Sequence, residues 1–260
     1  MAGIDTIIET SQGCIKIIKF NKPARKNAID LDMYTRITEI LERAANDDDV
    51  TLTVITGAGD YFSSGNDLIG TLDRIGKADV NPSRILKDFV DAFINFPKTL
   101  VAIVNGPAIG IAATTLALFD LVFAAESAFF YTPFTKLGLV AEGCSSYTFP
   151  RLLGDRKAQE MLLFNHKMTA REALECGFIN YLYKPDELQS KVWDKIVEVS
   201  KLPRGSLTAC KQLVRTHIKD DLIRVNKREV EELEKVWTSE EYVKNLMDFM
   251  SKGEKKKGKL

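Results

Sequence analysis

A chain of 260 residues with 36 Lys and Arg against 36 Asp and Glu carries no net charge at neutral pH, which removes any global electrostatic case for binding nucleic acid or a membrane surface. Its 45% hydrophobic and 28% charged residues suit a globular protein large enough to bury its core without staples. The four cysteines (Cys14, Cys144, Cys176, Cys210) stand far apart with no CxxC pair and are expected as reduced thiols, and His166 and His217 sit among polar neighbours, so neither a His-based triad nor a metal site is expected.

The N-terminal residues hold no charged segment before an apolar stretch and read as neither a signal nor a transit peptide. No run of about 18 apolar residues, the length that spans a bilayer, follows anywhere. Ile15 to Phe20 is β-branched and apolar, the pattern of a strand, and Asn21-Lys22-Pro23 breaks it. Tyr34, Ile37, Leu41 and Ala44 recur at helical spacing behind Asp30, a cap residue, so a helix is predicted from Asp30 to about Ala45. Leu52 to Thr56 is a second strand, ended by Gly57-Ala58-Gly59-Asp60. Asn81-Pro82 opens another helix, with Asn as cap, Pro in the first turn and Ile85, Phe89 and Phe93 on the buried face; Pro97 ends it. Leu100 to Val104 is a third strand, leading through Asn105-Gly106-Pro107 into a small-residue helix from Gly110 to Leu118. Strands at Leu121–Ala125 and Ala128–Tyr131 and a helix from Ser145 to Arg151 complete this part.

The alternation of apolar strand and helix argues for an α/β fold with a largely parallel sheet. From Asp155 onward helical periodicity dominates, with stop signals at Gly177 and Pro203. The stretch from Asp220 to Met250 is charged and amphipathic, carrying Leu222, Val225, Val230, Leu233, Val236 and Trp237. The expected organisation is an α/β core over residues 1–200, a helical region over 201–251 that packs on its own core or on another subunit, and a basic tail over 252–260. The tail ends Gly258-Lys259-Leu260, a small–basic–Leu pattern similar to the Ser-Lys-Leu peroxisomal address.

Ligands of α/β sheets sit at the carboxyl ends of strands. Two loops there draw attention: Asp60 to Leu68, and Asn105 to Ala113. Their small and polar residues can expose backbone N–H groups, and the first turn of the helix after the second loop favours negative charge. Two such loops can present two N–H donors to one oxygen, although the residues alone favour ordinary structural turns. No GxGxxG or GK[ST] motif occurs, so neither a dinucleotide nor a P-loop site is indicated. Glu142 follows Leu137-Gly138-Leu139-Val140-Ala141 and precedes the helix at Ser145. The residues alone leave it either as a loop carboxylate capping that helix or as an acid held against apolar surface from Phe130, Phe134, Tyr147 and Phe149.

Phe62-Ser63-Ser64-Gly65-Asn66-Asp67-Leu68 resembles the first fingerprint of the crotonase (enoyl-CoA hydratase/isomerase) superfamily, and Asn105-Gly106-Pro107-Ala108-Ile109-Gly110 with Asp120 resembles the second. Phe20-Asn21-Lys22-Pro23 with Asn27-Ala28 is similar to the family's N-terminal segment, and the likeness runs from about Ile4 to Met250. Thr132-Pro133-Phe134 and Glu142-Gly143-Cys144-Ser145-Ser146-Tyr147 look most like the peroxisomal-type Δ3,Δ2-enoyl-CoA isomerases, with Ala at position 141. The resemblance implies a crotonase-like ββα superhelix with a C-terminal helical trimerisation region, a homotrimer or dimer of trimers, and a fatty enoyl-CoA substrate. No cofactor or metal is implied beyond the coenzyme A that the substrate carries.

The resemblance further assigns Glu142 as the proton-carrying base and the backbone N–H groups of Asn66 and Ile111 as an oxyanion hole. Ser64, Gly65, Asn66, Asp67, Leu68, Ala28, Gly110 and Phe134 would border the substrate, the side chains of the Ser64–Leu68 stretch mattering little. The carboxylates that hydratases use fall at Thr114 and Phe134, so water addition is expected to be weak, and the additional acids of dienoyl-CoA isomerases are missing. Lys22, Arg25, Lys26, Lys211 and Arg215 are candidates for the CoA phosphates. Another crotonase reaction and a non-catalytic acyl-CoA scaffold stand as alternatives. The tail implies a peroxisomal import receptor as partner; the alternative compartment is the mitochondrial matrix.

Overall fold

The computed structural model describes residues 5–68, 70 and 81–257. Nine strands and ten α-helices occur among them, with 3-10 turns at Pro23–Arg25, Thr115–Leu118 and Thr135–Leu137. The strands are β1 (Ile7–Gln12), β2 (Ile15–Phe20), β3 (Leu52–Gly57), β4 (Thr99–Val104), β5 (Ala108–Ile109), β6 (Leu121–Ala125), β7 (Phe129–Tyr131), β8 (Lys167–Thr169) and β9 (Tyr181–Tyr183). The helices are α1 (Leu31–Asn46), α2 (Pro82–Asn95), α3 (Ile111–Thr114), α4 (Ser145–Leu153), α5 (Asp155–Leu162), α6 (Ala170–Glu175), α7 (Pro185–Ser200), α8 (Arg204–Thr216), α9 (Lys219–Trp237) and α10 (Glu240–Lys257).

Six strands form one sheet in the order β1-β2-β3-β4-β6-β9, and β5-β7-β8 form a second. Only the β1–β2 pair of the large sheet is antiparallel; every later neighbour is parallel. Helices cover both faces of these parallel strands, which is why β3 and β4 read as unbroken apolar runs. Alternation still sorts their side chains. Leu52 and Val54 of β3 and Val101 of β4 face Leu188, Val192 and Ile196 of α7. Ile55, Leu100, Ala102 and Val104 face the larger core, which α1 and α2 close with Ile37, Ile40, Leu41, Phe89 and Phe93.

The caps are the ones the sequence names: Asp30 accepts from the Met33 N–H at the start of α1, and Asn81 accepts from the Arg84 N–H at the start of α2. Ile85 departs from expectation, being half-buried while Leu86, Phe89, Val90, Phe93 and Ile94 form the inner face. The predicted helix from Gly110 to Leu118 is one α-helical turn followed by a 3-10 turn, with the two-residue strand β5 just before it. β1, β8 and β9 were not anticipated. The three residues of β8 and of β9 are too few for a periodic signal, and β9 gains its place only by pairing with β6.

The C-terminal helices fold back on their own chain. Leu222, Val230 and Leu233 of α9 are buried, and Asn226 donates to the Lys87 carbonyl at 3.0 Å and to Asp91 at 2.8 Å on α2. Thr238 and Ser239 separate α9 from α10, so the amphipathic stretch is two helices. Tyr242 and Leu246 of α10 join the main core. The Gly258-Lys259-Leu260 tail lies outside the described residues. Among the described residues no helix is long and apolar enough to cross a membrane. All four cysteines are free.

Candidate active site

Two backbone segments run side by side above the carboxyl ends of β3 and β4. Ser63 and Ala108 form a parallel bridge, with Ile109 N–H donating to the Ser63 carbonyl at 3.0 Å. Continuing that register sets Asn66 opposite Ile111, three residues on in each segment. The approach is close because Gly65 has no side chain: its φ is +81°, and a Cβ there would stand 2.5 Å from the Ile109 carbonyl oxygen. The first segment is pinned on its other side by Ser64 N–H to Lys26 O, Ile29 N–H to Gly65 O and Asp67 N–H to Ile29 O, each 2.9 Å. Buried Asn27 fixes that N-terminal loop by donating to the Ala58 and Tyr61 carbonyls at 2.9 and 2.8 Å.

Neighbouring amides are spoken for: Gly65 N–H donates to Ser63 Oγ, and Gly110 N–H to the Tyr131 carbonyl. Among the described residues, the N–H groups of Asn66 and Ile111, and of Ala112 beside it, have no acceptor. Asn66 leaves the bridge with Ile29 on its non-bonded side, and Ile111 opens α3, where first-turn N–H groups lack helical partners.

Glu142 comes to this place from a tight turn. Gly143 and Cys144 both take positive φ, +69° and +63°. A Cβ on Gly143 would collide with Thr114 Oγ1 and lie 3.0 Å from Ile111 Cδ1, so the turn rests directly on α3. Glu142 does not cap the helix that follows. Ser145 takes its backbone carbonyl, while Glu229 of α9 caps α4, accepting from Cys144 N–H at 2.7 Å and Ser146 N–H at 2.9 Å. The Glu142 side chain is thereby free to point the other way, where it is 3% exposed. Its oxygens accept from Asn66 Nδ2 at 3.1 and 3.4 Å. Asn66 Oδ1 in turn accepts from the Tyr34 hydroxyl.

Burial pushes the Glu142 carboxyl up to about 8, with Glu229 adding to the rise and the Asn66 donation opposing it. Burial, then the Glu142 and Asp30 charges, hold the Tyr34 phenol well above its usual range. Tyr242 of α10 is likewise pushed up to about 12, by burial and then by Glu142. A carboxyl titrating near neutrality beside backbone donors that include the Asn66 and Ile111 N–H groups is equipped for proton transfer next to a developing oxyanion.

The structure therefore brings Asn66, Gly65, Gly110, Ile111 and Glu142 together. Phe134 is buried in the same core and starts the turn on which α10 rests. Ala28, Ser64, Asp67 and Leu68 belong to the pinned segment and its neighbour; Asp67 faces Lys22 at 3.4 Å and Arg25 at 3.5 Å. Of the other candidate cations, Lys211 and Arg215 pair with Asp120 at 2.7 and 3.4 Å, and Lys22 also pairs with Asp30 at 2.8 Å. Sequence pattern alone assigns the Asn66 side chain little importance and places Tyr34 only on a packed helix face. The signal for Tyr34 was present, since a phenol on an otherwise aliphatic helix face requires a partner. Among the described residues no His, Cys, Asp and Glu group suits a metal. A cleft of about 1220 Å³ opens on the far side of the sheet against α7, lined by residues including Val54, Thr56, Asn105, Leu188 and Trp193, and holds none of these site residues.

The family model described as Enoyl-CoA hydratase/isomerase matches residues 9–258. A rat protein, Enoyl-CoA delta isomerase 2, is 45% identical over 249 residues, covering 95% of this chain and 63% of that protein. The mouse Enoyl-CoA delta isomerase 3, peroxisomal, is 44% identical, covering 96% of this chain and 80% of that protein. The chain thus spans less than two thirds of the rat relative's length. Among solved structures, the enoyl-CoA hydratase/isomerase of Pseudoalteromonas atlantica T6c superposes with a TM-score of 0.90 at 29% identity, covering 95% of this chain and 98% of that one.

Proposed function

This chain belongs to the enoyl-CoA hydratase/isomerase (crotonase) family, and from that footing we propose that it shifts the double bond of a fatty 3-enoyl-CoA to the 2-trans position. The thioester oxygen sits between the Asn66 and Ile111 N–H groups. In its ionised form Glu142 takes a proton from C2, and the electron pair left behind delocalises onto that oxygen as an enolate. The enolate collapses with a new C2=C3 bond as Glu142 returns the proton to C4. Each aimed N–H donor is worth about 10²–10³ in rate in a dry site. The observation that carries this reading is Glu142 itself, buried, bonded to Asn66 and raised to about 8. It must be both base and acid within one turnover, and a carboxyl titrating near working pH does both.

Hydration is disfavoured because the positions for a second carboxylate hold Thr114 and Phe134, both buried. Coenzyme A enters as part of the substrate, and no other cofactor is required. The reading extends to a homotrimer or dimer of trimers, measurable by light scattering. It extends also to a peroxisomal location, supported by the name of the mouse relative, Enoyl-CoA delta isomerase 3, peroxisomal. Comparing a tagged chain with and without Gly258-Lys259-Leu260 tests that location.

The deciding assay follows the absorbance of conjugated 2-enoyl-CoA formed from 3-enoyl-CoA. Glu142→Gln is expected to lose about 10³-fold in kcat with its circular dichroism unchanged. Full turnover by that variant refutes the mechanism. Faster water addition to 2-enoyl-CoA than double-bond shift would return the assignment to a hydratase.

A further inference from the structure

The family resemblance gives Asn66 a role through its backbone alone. The side chains say more. Tyr34 projects from the buried face of α1 and is 2% exposed, its ring packed edge-on against Phe89 at 4.6 Å. Its hydroxyl ends on Asn66 Oδ1. An amide has one acceptor end and one donor end, so a phenol that donates to Oδ1 leaves Nδ2 facing away from it. There Nδ2 meets both oxygens of Glu142, at 3.1 and 3.4 Å. Without the phenol, the amide can turn over and present its oxygen to the carboxyl, an arrangement that suits only the protonated acid.

We propose that Tyr34 is a positioning residue for the isomerisation, locking the Asn66 amide so that a single residue serves the oxyanion through its backbone and the base through its side chain. This rests on the reading of Glu142 as the base. The two functions of Asn66 are thereby coupled: the hydrogen bond that orients the carboxylate also fixes the segment presenting the backbone donor. The phenol stays a donor across the working range because burial and the Glu142 and Asp30 charges oppose its ionisation. The titratable groups that bear on Glu142 are Glu229 from α9, Tyr242 from α10 and Tyr34 from α1. Of these, Tyr34 is the one that reaches the carboxylate through a neutral donor and can be altered without moving a charge.

Tyr34→Phe keeps the ring and removes the hydroxyl. The acid limb of kcat/KM for 3-enoyl-CoA is expected to move up by about one pH unit, a loss of roughly tenfold at pH 7 that recovers at high pH, with KM changed less than about twofold. Asn66→Ala, which retains the backbone N–H and leaves α1 untouched, is expected to move the limb in the same direction. Adding Tyr34→Phe to it should move the limb no further, because the two act in series. A limb that stays in place while activity falls equally at every pH overturns the proposal, as does a Tyr34→Phe effect that persists in the Asn66→Ala background. An independent readout is the infrared band of the protonated Glu142 carboxyl, identified by its loss in Glu142→Gln. If the protein turns over no 3-enoyl-CoA, the isomerase reading fails while this band still decides whether Tyr34 sets the titration. If turnover is normal and the band is unmoved in Tyr34→Phe, the proposal alone fails.

Discussion

A single carboxyl group concentrates the tension between stability and use in this protein. Raising Glu142 from its ordinary 4.5 to about 8 corresponds to about 5 kcal/mol at most. The folded state holds the proton more tightly than the unfolded chain does. Below pH 4.5 both states are protonated and nothing is lost; between 4.5 and about 8 the unfolded chain releases the proton first, so stability falls as pH rises. Gln carries no ionisable group and copies the neutral acid in shape. Glu142→Gln should therefore melt higher than the parent, with a difference that widens from pH 5 to pH 9 in calorimetry. A constant difference across that range would show that the carboxyl is not desolvated as described.

At the scale of elements, the site is held by the turn before α4 as much as by any side chain. Its two consecutive left-handed residues reverse the chain, and Glu229 of α9 supplies the cap that Glu142 would otherwise provide. Ser146 Oγ donates to the same Glu229 oxygen at 2.5 Å, so one carboxylate satisfies three donors at the head of α4. Gly143 is the tightest point, because any Cβ would meet Thr114 and Ile111 of α3. Gly143→Ala is expected to cost about 1–3 kcal/mol through backbone strain and collision. Adding Thr114→Ala removes Oγ1 and should restore about 1 kcal/mol, a non-additive pair readable by urea unfolding. Simple additivity would mean the turn stands clear of α3.

For the molecule as a whole, the C-terminal helices are joined to the sheet by charge as well as by apolar contact. Lys211 and Arg215 of α8 converge on Asp120 at the mouth of β6, and Lys211 also donates to the Lys98 carbonyl at 2.7 Å. Lys211 is 9% exposed and Asp120 23%, so removing the carboxylate charge strands a nearly buried ammonium. Asp120→Asn, matched in shape, is expected to lower stability by about 2–3 kcal/mol, less than a fully buried pair because Asp120 retains some water. Denaturant unfolding at neutral pH measures it, and an unchanged midpoint would show that apolar packing alone seats α8. The same fold-back carries α10 to the site, where Tyr242 feels the Glu142 charge.

Local sequence was enough for β2, β3, β4 and β6 of the large sheet, its parallel character, both principal caps and the two loops that carry the backbone donors. These depend on local chemistry: runs of β-branched residues, Asp30 and Asn81 before helical periodicity, small residues after strands. Glu142 was visible as a candidate, but not its choice between capping α4 and entering the site. That choice belongs to Glu229, 87 positions along the chain in a different helix. The short strands β8 and β9, the broken helix after Gly110, the capture of Lys211 by Asp120 and the Tyr34–Asn66–Glu142 chain were likewise decided only on folding. Each depends on which partner a polar or backbone group meets once water is gone, and no local pattern encodes a partner so far away.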